Sequence, residues 1–126
     1  MLEARGDLRV VIMPWTTDCL ALYPYAEWTA FEAKIAALPQ MNEKVEMFQR
    51  RYMSGAVDVE LDKLGRILIP PRQRTHAKLE REVIWVGMTT RIELWDRARF
   101  NSVASPSAES PEERVEMKKT LSEFGL

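Results

Sequence analysis

The chain has 126 residues, 46% of them apolar and 29% charged, with a formal net charge of −1. These are the proportions of an ordinary soluble globular protein, with room for one compact domain or two very small units sharing a core. They exclude a membrane helix, because no apolar run approaches the roughly 18 residues needed, and the single Cys19 and single His76 rule out an internal disulfide and fall far short of a zinc site.

In chain order, residues 1–7 carry acids and no apolar stretch, so no signal peptide is expected and a reduced cytoplasmic setting is the default. Residues 8–13 (LRVVIM) read as a strand, followed by a turn at 14–18 and a second strand at 19–23. Pro24 sits where a helix can start, Trp28, Phe31, Ile35 and Leu38 share one helical face, and Pro39 stops it. Asn42 is placed to cap a second helix with Val45, Phe48 and Tyr52 as its buried stripe and Gly55 just past its end. These aromatics are read as core. Residues 57–61 alternate apolar and acidic side chains like a half-exposed strand, and 66–69 are expected to return as its hairpin partner. Between them, Asp62 opens a tight turn and Gly65 takes a left-handed position. Pro70-Pro71 ends that strand and opens a short helix over 72–77. Two more strands, 82–86 and 91–95, flank a turn at 87–90. Asp96 precedes a helix to about Val103, 105–111 is a polar linker, and 112–124 forms a charged tail helix, read as mobile.

Charge is unevenly distributed. From Arg50 to Arg81 there are eight basic residues and four acids, a local excess of four positive charges on a chain that is otherwise slightly acidic. No nucleophile–base pair, metal set or Gly-rich phosphate loop is present, so neither an enzyme nor a small-molecule substrate or cofactor is expected.

Sliding the chain by 72 residues against itself places Val11 on Val83, Ile12 on Ile84, Thr17 on Thr89, Leu20 on Ile92, Leu22 on Leu94, Tyr23 on Trp95 and Trp28 on Phe100. An internal duplication is expected. The counterpart of the 57–69 hairpin would fall ahead of residue 1, so the first copy is expected to lack its hairpin, with that hairpin encoded upstream.

The stretch Asp62-Lys63-Leu64-Gly65-Arg66-Ile67-Leu68-Ile69-Pro70 resembles the D-x-x-G-R-x-x-I-P signature of AbrB-like swapped-hairpin proteins. Leu22-Tyr23-Pro24 before the Trp28 helix, Phe48-Gln49-Arg50-Arg51 before Gly55-Ala56, and Val86-Gly87 before Arg91-Ile92-Glu93-Leu94-Trp95 are similar to the MraZ family in particular. The resemblance implies an α+β fold of two AbrB-like swapped-hairpin β-barrel units, the first incomplete, with helical insertions. The divisions would be 1–25, a helical insert at 26–54, a second unit at 55–100, and a linker and tail at 101–126. It implies a cytoplasmic, nucleoid-associated transcription regulator of the bacterial division and cell-wall gene cluster. Its partners would be double-stranded DNA at promoter repeats and further copies of itself in a ring, with DNA contacted through the D-x-x-x-R motif, here Asp62 and Arg66. Guanidinium bridges phosphates or bonds guanine bidentately, so Arg66 is the expected contact. The Asp62 carboxylate is expected to hold the turn by bonding nearby backbone N–H groups. Lys63, Arg72 and Arg74 would add phosphate attraction. Two other readings stay open at this point: a β-hairpin oligomerisation module that binds no DNA, and an antitoxin-like protein that caps a toxin, which the helical insert argues against.

Overall fold

The computed structural model describes residues 9–126; the expectations for residues 1–7 and the start of the first strand at Leu8 lie outside it. The chain divides into two compact units, the first ending at Asp96 and the second spanning Arg97–Leu126.

The first unit is built on one five-stranded antiparallel sheet in the order β3-β1-β2-β5-β4. Its strands are β1 (Arg9–Pro14), β2 (Leu20–Pro24), β3 (Val57–Glu60), β4 (Val83–Met88) and β5 (Arg91–Asp96). β1 and β2 are apolar on both faces (VVIM, LALY) and lie inside the sheet, where such runs are buried from both sides. On one face Val10, Ile12, Leu20, Leu22, Leu94 and Ala77 form a core, with Ile67 and Ile69 packed against it. On the other, Val11, Met13, Ala21 and Tyr23 pack beneath Trp28. Burying a side chain such as Ile12 stabilises the fold by about 1.5–3 kcal/mol.

Helices α1 (Tyr25–Ala36) and α2 (Glu43–Arg51) cover that second face. Pro24 supplies the fixed φ that starts α1, and the Asn42 side chain accepts from the Lys44 and Val45 N–H groups at the start of α2. Phe31 stacks on Tyr23 with ring centres 5.0 Å apart, and Phe48 meets Trp15 edge-on at 5.9 Å, so the aromatics pack on the core as expected, whereas Leu38, past the end of α1, is exposed. A single 3-10 turn, Met53–Gly55, joins α2 to β3. Gly55 packs closely there: a Cβ would lie 3.1 Å from Pro14 Cδ, so the proline ring would have to give by a few tenths of an ångström.

β2 and β5 pair through Leu20↔Leu94, Ala21↔Glu93 and Leu22↔Ile92. Ala21 and Glu93 are 72 apart and face each other, and the flanking pairs exchange equivalent positions. The two halves therefore meet with two-fold register. The outer strands do not follow the same offset: the equivalent pairs Val10↔Pro24 and Val83↔Asp96 put Val10, not Val11, in the place of Val83. Five residues link β1 to β2 and only Thr89-Thr90 link β4 to β5, so the longer loop absorbs one position and a one-residue slip would reverse every side chain. Gly87 lies inside β4 rather than in the turn.

One further expectation is corrected. Residues 66–69 are not a strand: β3 pairs β1 on one edge, and the returning arm is tied back only through the Asp62 N–H bond to the Arg66 carbonyl. Ile67 and Ile69 are drawn onto the sheet core instead, while Leu68 faces out. Among the described residues of one chain the sheet is open, with β3 and β4 as its two edges.

The second unit contains α4 (Arg97–Val103), a 3-10 turn at Pro106–Ala108 and α5 (Pro111–Glu123). Ser110 and Glu113 close a reciprocal capping box at the start of α5.

Candidate nucleic-acid interface

The site is a loop tied by its own first residue. Asp62 donates its N–H to the Arg66 carbonyl (2.8 Å), and the Gly65 N–H returns to the Asp62 carbonyl (3.0 Å). One carboxylate oxygen of Asp62 accepts from the backbone N–H groups of Leu64 (2.9 Å) and Arg66 (2.8 Å). The other accepts from Arg66 Nε at 2.8 Å. Gly65 supplies the left-handed residue, φ 77°, that lets the chain turn back. The hydrogen bond from the Arg66 N–H, then desolvation working the other way, then the Arg66 side chain and Leu64 N–H, together hold the Asp62 carboxyl below the usual carboxylate range.

The consequence falls on Arg66. Its Nε is held by Asp62, which fixes the plane of the guanidinium, while the side chain is 72% exposed. The two terminal nitrogens bond nothing among the described residues, and they are the pair that can fork onto a phosphate or a guanine edge. Lys63 is exposed at the tip of the same loop.

Helix α3 (Pro71–His76) carries the other expected residues, and separates them. Positions 72 and 74 are about 200° apart around a helix. Arg74 lines the same 650 Å³ groove as Arg66, floored by Ile67, Leu79, Trp85 and Leu94. Arg72 lies in a second cavity beside Arg51. The structure therefore brings Arg66 and Arg74 together and leaves Arg72 elsewhere.

Two residues to which the sequence assigned no such role anchor α3. Gln73 is buried and its amide donates to the carbonyls of Ile12 and Gly55, both at 2.9 Å. His76 Nε2 is 2.8 Å from the Trp15 carbonyl, which requires the nitrogen to be the donor. Their signal was the inward face of a short helix after Pro-Pro, too brief to show periodicity. Among the described residues no three His, Cys, Asp or Glu side chains are grouped to hold a metal, and no helix is long and apolar enough to cross a membrane. Cys19 is buried and free, its thiol pushed up to about 11 mainly by burial.

Fold and site together define an α+β protein on an antiparallel sheet that presents an arginine from a self-capped turn. The chain belongs to the MraZ family. The family model matching residues 52–121 is described as "MraZ protein, putative antitoxin-like". Similar relatives, each called "Transcriptional regulator MraZ", include one from Thermoanaerobacter pseudethanolicus, 40% identical over 89% of this chain and 80% of the relative. One from Acetivibrio thermocellus is 42% identical over 91% and 82%. One from Pseudomonas putida is 41% identical over 82% and 70%.

Proposed function

We propose that this chain is a DNA-binding transcription regulator of the bacterial division and cell-wall gene cluster, acting on double-stranded DNA in the cytoplasm, at the nucleoid. One observation carries the reading: Asp62 consumes Arg66 Nε and leaves both terminal nitrogens exposed and oriented. Asp62 is a positioning residue, since its own charge would repel phosphate. Lys63 and Arg74 add phosphate attraction beside Arg66, and Arg72 can reach DNA only if the duplex also runs along the other side of α3.

A few phosphate contacts from one chain give affinities of only about 10⁻⁴ to 10⁻⁶ M at physiological salt. Reading promoter repeats therefore calls for several copies acting together, and a closed ring is the assembly proposed. The two-fold β2–β5 register supports reading residues 1–25 and 55–100 as two AbrB-like units, with 26–54 a helical insert, 101–126 linker and tail, and the swapped-hairpin barrel completed on pairing. The exposed Trp85 indole, 52% accessible on edge strand β4, favours a second reading in which the chain is an oligomerisation module that binds no DNA. A gel shift at about 0.1 M salt decides between them. Arg66→Ala is expected to remove most duplex binding with the fold intact; an unchanged affinity would remove Arg66 as the contact, and no binding by the parent would leave the module.

A further inference from the structure

The second cavity, about 610 Å³, lies between the β1 end, the 3-10 turn before β3 and the start of α3. Pro14, Ala56, Pro70 and Pro71 give it apolar walls, and Arg51 and Arg72 stand in its lining with Ser54, Gln73 and His76. None of its lining residues is acidic. Both guanidinium groups are without a side-chain partner among the described residues, an arrangement that favours an anion.

Gln73 makes the cavity more than a basic surface. It is only 4% exposed. Its Nε2 donates to two carbonyls, Ile12 and Gly55, so the amide cannot be turned over without setting oxygen against oxygen. Its Oε1 is therefore a true acceptor, buried and unpartnered. An unmet buried acceptor is unfavourable, and a ligand donor would relieve it.

We propose that this cavity binds a small phosphomonoester whose body carries a hydroxyl or N–H donor. Arg51 and Arg72 take the phosphate, and Gln73 Oε1 accepts from the donor. A duplex phosphodiester has no proton to give Gln73, which favours the small ligand over DNA backbone as the source of phosphate. The volume exceeds what inorganic phosphate needs and lies in the range of small-molecule sites.

The test titrates the full chain with adenosine monophosphate, adenosine and inorganic phosphate, following backbone amides by NMR. The nucleotide is expected to shift Gly55, Arg72 and Gln73, with adenosine far weaker and inorganic phosphate intermediate. Arg51→Ala and Arg72→Ala, both at exposed positions, should each weaken nucleotide binding about tenfold, the loss of one charge-assisted contact. Absence of saturable shifts with any of the three probes would overturn the proposal. So would loss of duplex affinity in these variants with no nucleotide binding in the parent, which would assign the two arginines to DNA.

Discussion

Gly65 sits at φ 77°, where a β-branched side chain meets its own backbone. Gly65→Val is expected to cost about 1 kcal/mol or more of stability, read as a lower thermal midpoint. A variant that melts like the parent would mean that the loop relaxes freely. Asp62 gives a second handle on the same loop. Its folded-state pKa is lowered, so the stabilisation of the turn is present above the ordinary carboxylate value, about 3.9. It is lost as pH falls through the still lower folded value. On acidification the Arg66 amide and Nε–H resonances should titrate together, below the normal carboxylate range. Titration near 4, or of only one of them, would contradict the hydrogen bonding described. The turn was legible because Asp and Gly at its two ends each act locally. The salt bridge to Arg66 Nε was not, since spacing alone says nothing about where a long side chain bends.

Helix α3 has only six residues and owes its place to tertiary bonds rather than to helix propensity. Gln73→Ala removes the two hydrogen bonds to the Ile12 and Gly55 carbonyls. The expected loss is about 1–3 kcal/mol, with α3 amides exchanging faster in hydrogen-exchange measurements while β1 and β2 stay protected. Equal exchange in parent and variant would show that α3 is held by packing alone. Elements with a strong local signature were legible: Pro24 and Asn42 opened α1 and α2, and the LRVVIM and CLALY runs marked the central strands. The 66–69 arm was misread because an Arg-Ile-Leu-Ile run is β-prone in any setting. Whether such a run pairs depends on an available edge, and here Ile67 and Ile69 gain more from the sheet core. The β1–β4 offset was likewise invisible, as apolar residues on both faces of β1 match either register.

For the molecule as a whole, the sequence repeat pointed to a duplication but not to how the copies meet: Leu20, Ala21 and Leu22 of β2 pair with Leu94, Glu93 and Ile92 of β5. The groove flanked by Arg66, Arg74 and Trp85 was not anticipated, because its lining comes from segments far apart in the chain. The division of the cationic residues between two faces of α3 also belongs to this level. Net charge over a segment cannot reveal it. The central claim is that Arg66, oriented by Asp62, contacts DNA in an assembly of several chains. The direct measurement is duplex affinity by fluorescence anisotropy over a salt series, for the parent and Arg66→Ala. One chain's Lys63, Arg66 and Arg74 account for a log–log slope of roughly 3 at most. The account predicts a steeper slope for the parent and, for Arg66→Ala, weaker binding with a slope reduced by about one unit per engaged chain. Superimposable lines for the two proteins, or a parent affinity independent of salt, would contradict it.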